Sequence, residues 1–184
     1  MNLPNFLTLL RIGIVPFFVL FFYIPYFRTL EGSILLASLF LIASLTDLLD
    51  GYLARRQGQV TRFGQFLDPV ADKILVLSAL ILLVGDQVIP SWIAIIIIGR
   101  EFIVTGLRLI VALEGIVIAA ESSGKYKMVF QSAAMIFLLL VFPPEFYFNQ
   151  IGFALLILSI IFSLSSACQY FFQFGRQLYG AKEK

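Results

Sequence analysis

Six long apolar runs, joined by short polar or proline-containing connections, make up most of this 184-residue chain. The runs cover residues 12–27, 33–46, 74–85, 90–113, 128–142 and 150–172. A helix needs about 20 mostly apolar residues to cross a membrane, and 60% of the residues are hydrophobic, far more than in a soluble domain of this size. The sequence therefore predicts an all-α integral membrane protein with six transmembrane helices. A single domain, residues 1–184, leaves no room for a large soluble one.

The positions of the basic residues predict how the chain is oriented. Six spans place the N-terminus, residues 56–62, residues 114–124 and the tail on one side of the membrane. Of the 13 Lys and Arg residues, only Arg28 is predicted on the other side. Because cytoplasmic connections carry an excess of Lys and Arg, we expect both termini to be cytoplasmic in a multi-pass protein of the cell membrane.

Four aspartates flank the connection between the second and third runs: Asp47, Asp50, Asp68 and Asp72. If both flanking segments are helical, each pair lies on one stripe of its helix, since residues three or four apart share a face. A helical hairpin that turns near residue 59 would set the two stripes face to face. We therefore expect the four carboxylates to converge beside the cytoplasm.

Carboxylates this close together need protons or cations between them. The chain has no His and one Cys, so oxygen ligands dominate, which favours Mg²⁺ or Mn²⁺ over Zn²⁺. Two ions would suit four carboxylates and would form a clamp for phosphoryl chemistry. Other interpretations are a proton relay, a divalent-cation or proton-coupled transporter, and ion pairing within the membrane with Arg55, Arg56 or Lys73.

The complete spacing D-x2-D-G-x2-A-R-x8-G-x3-D-x3-D is matched without a gap from Asp47 to Asp72. This pattern resembles the signature of the CDP-alcohol phosphatidyltransferase family, and the resemblance extends over essentially the whole chain. It implies the family's fold, CDP-diacylglycerol as substrate, CMP as leaving group and two bound metal ions. It also implies that Asp72 is the catalytic base, and that the metal ligands are Asp47, Asp50, Asp68 and Asp72.

The same stretch contains residues suited to a nucleotide. Gly51 and Ala54 have almost no side chain, so a nucleotide could lie against the helix backbone, and Arg55 can hydrogen-bond diphosphate oxygens in a fixed fork. Near the N-terminus, Asn5 belongs to a polar stripe that either lines the site or lies at the membrane interface. The predicted CDP-binding residues are Asn5, Asp50, Gly51, Ala54, Arg55 and Gly64.

Basic residues of the fourth and fifth runs are candidates for binding an acceptor phosphate: Arg100, Arg108, Lys125 and Lys127. Charges in the middle of a span generally face a protein interior or a wet cavity. Alternatively, Arg100 only pairs with Glu101, and the other three are anchors at the cytoplasmic edge.

Three shorter motifs, N-L-P-N-x-L-T-x-x-R, G-R-E and G-K-x-K, resemble those of bacterial family members that use sn-glycerol 3-phosphate as acceptor. Met128 follows the last motif where the resemblance leads us to expect Thr. The alternative is another acceptor, serine or inositol phosphate. By resemblance we also expect a homodimer in contact with membrane lipids, and no nucleic-acid partner.

Overall fold

The computed structural model describes residues 3–57, 62–113, 123–141 and 147–180, and every regular element in these ranges is helical. The described residues form six α-helices, with one short 3₁₀ helix, Pro25–Arg28, between the first two. The α-helices are α1 (Leu3–Tyr23), α2 (Leu30–Gln57), α3 (Arg62–Gly85), α4 (Ser91–Leu113), α5 (Ser123–Leu139) and α6 (Phe148–Gly180).

The first connection shows how local sequence sets the helix ends. Ile24 is extended, with φ −77° and ψ 128°, because the residue before a proline is driven out of the helical region. Pro25 then opens the 3₁₀ helix, and Thr29 caps α2 by accepting a hydrogen bond from Gly32 N at 3.2 Å. For this reason α2 begins at Leu30, three residues earlier than the apolar run alone predicts.

The turn between α3 and α4 lies at the same end of the bundle as the first connection. Gln87 adopts a positive φ of 59°, and Val88 N donates to Leu83 O at 2.9 Å, which closes the C-terminus of α3. Arg28 and Asp86 form an ion pair of 2.9 Å that joins the two connections. This end lies opposite the one that carries the aspartates.

The first helix lies against two others. In the described residues α1 packs on both α2 and α3, whereas α2 and α3 make little contact with each other. Phe18 on α1 and Phe40 on α2 are fully buried, with ring centroids 6.1 Å apart. The most extensive helix pair is α5 with α6, and α5 also packs on α2 while α4 packs on α6. Described residues of all five helices α1 to α5 line a common interior.

One described stretch, Phe148–Gln173 in α6, is long and apolar enough to cross a membrane by length and composition. Four others are apolar but shorter, at 10–17 residues. They are Leu9–Tyr23, Leu30–Thr46, Lys73–Gly85 and Tyr126–Leu139. The all-helical fold is confirmed, and the six-span topology with cytoplasmic termini stays a prediction. The sixth helix also continues to Gly180, beyond the predicted span.

Candidate functional site

The aspartate motif lies on two helices, as its spacing predicts. Asp47 and Asp50 belong to α2, and Asp68 and Asp72 belong to α3. Both flanking segments are therefore helical, so each pair shares one face of its helix. The four side chains lie outside the described residues, as does the connection 58–61. Their assignment as metal ligands, with Asp72 as base, stays a prediction.

The same holds for the predicted nucleotide-binding residues: the structure gives the helix on which each one lies, but not its side-chain contacts. Asn5 lies on α1, and the rest of the set lies on the motif-bearing parts of α2 and α3. The side chains of Asn5, Ala54 and Arg55 are among those outside the described part of the structure, and the environments of Gly51 and Gly64 are too. Their helical positions are fixed, and their contacts with CDP stay predictions.

A cavity of about 310 Å³ opens between the first five helices. Ala43 and Ser44 line it from α2, and they lie one turn before Asp47. Leu75 and Val76 line it from α3, one turn after Asp72. Residues three or four apart share a helix face, so the wall of the cavity continues the helix faces on which these two aspartates lie.

The described lining of the cavity includes seven polar or charged side chains. Each of the helices α1 to α5 contributes at least one of them. They are Arg11, Ser44, Lys73, Glu101, Lys127, Gln131 and Ser132. Arg11 is only 2% exposed, which is unusual for an arginine. Three basic side chains against one carboxylate give the described wall a positive balance. We call this part of the cavity the basic wall.

Glu101 joins two basic residues at this wall. Its Oε1 accepts a hydrogen bond from Arg100 Nη1 at 2.9 Å and another from Lys127 Nζ. All three side chains are largely buried, with 10% to 16% of their surface exposed. The ion pair with Lys127 joins α4 to α5 across the cavity. Nearby, Lys73 Nζ donates to Thr105 Oγ1, which joins α3 to α4 directly after Asp72.

The structure separates the four predicted phosphate-binding residues. Lys127 lines the cavity. Arg100 and Arg108 are not among the described residues of its lining: Arg100 Nε donates to Ser163 O at 3.0 Å, and exposed Arg108 lies over the Tyr170 ring at 5.5 Å. The side chain of Lys125 lies outside the described residues. Phosphate binding by all four stays a prediction, which the cavity supports for Lys127.

Sequence reasoning assigned no role to Gln131 and Ser132, and it considered Lys73 only as an ion-pair partner of the aspartates. Arg11 belongs to the same polar stripe as Asn5, which was left open between the site and the membrane interface. A signal for them exists, because polar residues inside otherwise apolar spans generally face an interior or a wet cavity. Gln131 is 6% exposed and meets this criterion within the apolar α5.

Comparisons with known proteins agree with the motif. A sequence model of the CDP-alcohol phosphatidyltransferases matches residues 1–165. A protein of Bacillus subtilis named CDP-diacylglycerol–glycerol-3-phosphate 3-phosphatidyltransferase is 45% identical over 181 residues, which cover 92% of this chain and 93% of that protein. Proteins of the same name from Haemophilus influenzae and Pectobacterium atrosepticum are 43% and 41% identical. Each match covers 92% of this chain, and 91% and 92% of the respective relative. This chain is a member of the CDP-alcohol phosphatidyltransferase family of enzymes.

Proposed function

We propose that this protein transfers the phosphatidyl group of CDP-diacylglycerol to the 1-hydroxyl of sn-glycerol 3-phosphate. The products are phosphatidylglycerophosphate and CMP. The observation that carries the proposal is the identity of 45% and 43%, over 92% of the chain, to proteins named for this activity. The family match over residues 1–165 spans both the aspartate motif and the basic cavity wall.

The donor set at the motif fits divalent cations, whose use is general in this family. Four carboxylates, two on each of two neighbouring helices, offer the hard oxygen ligands that Mg²⁺ and Mn²⁺ prefer. In this proposal Asp47, Asp50, Asp68 and Asp72 hold two such ions. When bound, the ions polarise phosphoryl oxygens and offset the charge that develops on them.

In the chemical step one proton moves, one bond to phosphorus forms and another bond to phosphorus breaks. Asp72 accepts the proton of the 1-hydroxyl, and the hydroxyl oxygen forms a bond to the phosphorus that carries the lipid. The bond from that phosphorus to the oxygen of the CMP phosphate breaks. Arg55 binds the diphosphate, while the small residues Gly51, Ala54 and Gly64 let the nucleotide approach the helices. Asn5, which lies on α1, also binds the CDP group.

The acceptor phosphate binds at the basic wall of the cavity. Lys127 supplies a positive charge there, and the wall also includes Arg11 and Lys73. Because the cavity continues the helix faces of Asp47 and Asp72, an acceptor in it lies beside the base. Arg100, Arg108 and Lys125 complete the predicted basic set around this site.

In the cell, we propose a single membrane domain with six spans. Both termini and the aspartates lie on the cytoplasmic side of a bacterial cytoplasmic membrane, where the headgroup of CDP-diacylglycerol and glycerol 3-phosphate are accessible. The protein acts as a homodimer. The clustering of basic residues on the predicted cytoplasmic side supports this orientation, and the apolar α6 supports membrane insertion.

The test is an assay of purified protein in detergent with CDP-diacylglycerol, Mg²⁺ and radiolabelled acceptor. Labelled sn-glycerol 3-phosphate should enter lipid with release of equimolar CMP, and a chelator should stop the reaction. Asp72→Asn should abolish turnover. Asp86→Asn is the matched control, because Asp86 pairs with Arg28 at the opposite end of the bundle. Turnover with serine or inositol phosphate but not with glycerol 3-phosphate would refute the choice of acceptor.

A further inference from the structure

Three helices end together at the end of the bundle opposite the aspartate motif. Arg28, in the connection after α1, forms its ion pair with Asp86, which directly follows α3. The backbone N–H of Val141, just after α5, donates to Ser33 Oγ at 3.0 Å, and Ser33 lies in the first turn of α2. The C-terminal ends of α1, α3 and α5 therefore lie beside one another and beside the start of α2.

Four exposed Tyr and Trp side chains lie at this end. They are Tyr23 at the end of α1, Tyr26 in the 3₁₀ helix, Trp92 in the first turn of α4 and Tyr147 just before α6. Between 49% and 66% of the surface of each is exposed. The Phe148 ring stacks on Phe137 near the end of α5, with centroids 5.5 Å apart, so α6 also begins at this end. We call these four residues the aromatic belt.

Between the aromatic belt and the motif, the outer faces of the helices carry exposed apolar side chains. More than half of the surface is exposed for Phe17 of α1, Ile42 of α2, Ile81 of α3 and Phe102 of α4. Apolar residues exposed on several helices indicate a surface that lipid covers. The part of α2 from Leu30 to Asp47 is about 26 Å long at the helical rise. This length is close to the hydrocarbon thickness of a bilayer, about 30 Å.

Tyr and Trp combine an apolar ring with a polar group, and they are enriched where the hydrocarbon of a membrane meets the headgroups. We propose that the aromatic belt lies at the lipid headgroups of the leaflet opposite the aspartate motif and sets the depth of the bundle in the membrane. This inference rests on the membrane location given in the proposed function. The rings contact the upper acyl chains, and the phenol O–H and indole N–H groups donate to lipid oxygens or water.

The sequence offers a direct test, because Trp92 is the only Trp in the chain and its fluorescence reports on the aromatic belt. The full chain is reconstituted in phosphatidylcholine vesicles. These contain a phosphatidylcholine with a quenching nitroxide either on the headgroup or near the end of an acyl chain. Quenching of Trp92 should be at least about 2-fold stronger with the headgroup nitroxide, as expected for a ring at the interface. Stronger quenching by the nitroxide in the acyl chain would overturn the inference.

The control moves the single Trp along the same helix by the double substitution Trp92→Phe and Phe102→Trp. Phe102 is 64% exposed and lies about 15 Å from Trp92 along α4. This position should lie near the middle of the membrane, so the acyl-chain nitroxide should now quench more strongly.

Other outcomes would overturn the inference. The same order of quenching at both positions would show that depth is not what the two nitroxides report. Quenching of Trp92 by neither nitroxide would show that a second copy of the chain or bulk water surrounds it. Turnover is measured in the same vesicles. The expected quenching without turnover would refute the proposed activity and still support the aromatic belt.

Discussion

Replacing Lys127 with Met separates the two effects of this residue, on stability and on the acceptor. Met keeps a long, unbranched side chain and removes the charge that contacts Glu101. Breaking a buried ion pair usually costs about 3 to 5 kcal/mol because a charge remains without a partner. Here Glu101 keeps Arg100 at 2.9 Å. We therefore expect a smaller loss of stability, about 1.5 to 3 kcal/mol, as for one hydrogen bond to a charged group.

The kinetic effect is separate from the effect on stability and is measured by the acceptor kinetics. If Lys127 binds the acceptor phosphate, Lys127→Met removes a charge-assisted contact worth about 1.5 to 3 kcal/mol. This corresponds to a fall of about 10-fold to 100-fold in kcat/KM for glycerol 3-phosphate. The phosphate is bound before and during the reaction, so most of the loss should be in KM.

Initial rates at varied glycerol 3-phosphate and saturating CDP-diacylglycerol measure this loss, and thermal unfolding in the same detergent measures stability. Arg28→Met is the control for removing a cation, because Arg28 is half exposed and pairs with Asp86 far from the cavity. An unchanged KM for glycerol 3-phosphate in Lys127→Met would refute phosphate binding by Lys127. An equal weakening of CMP binding would show that the whole site had changed.

Three further changes test other parts of the fold and site. Asp72→Asn should abolish turnover and keep metal-dependent CMP binding, measured by calorimetry, because three other carboxylates remain for the ions. Asp50→Asn should weaken Mg²⁺ and CMP binding together, and unchanged binding of both would contradict its role as ligand. In Gly32→Ala the new Cβ would lie 2.1 Å from Tyr26 O, a backbone atom. The free energy of unfolding should therefore fall by more than about 3 kcal/mol. Gly13→Ala, with open space around it, should change stability by less than about 1 kcal/mol.

Helix positions were predictable from the sequence because each apolar run is bounded by polar residues or proline. The ends were less accurate, since they depend on individual hydrogen bonds. Thr29 caps α2, so the helix starts at Leu30. This start depends on one side-chain oxygen, which cannot be predicted from the pattern of apolar residues. The polar residues Gln173 and Arg176 did not end α6, which continues to Gly180.

The lining of the cavity was harder to predict than the helices. Arg100 and Glu101 are adjacent in sequence, so their side chains leave the helix about 100° apart, and both cannot point fully into one cavity. The sequence does not say which neighbour each would meet. In the structure Glu101 lines the cavity, while Arg100 reaches Ser163 on α6 and contacts Glu101 from the side. Periodicity thus identifies a shared face, and packing decides what that face contacts.

The position of α1 explains how space remains beside the aspartate-bearing helices. A tightly packed hairpin of α2 and α3 would fill the volume between them with side chains. Instead α1 packs on both helices, and in the described residues they make little contact with each other. Side chains from α4 and α5 then reach the same volume, including Glu101 and Lys127. The bundle therefore combines, beside one cavity, two helices that carry the motif and two that carry the Glu101–Lys127 pair.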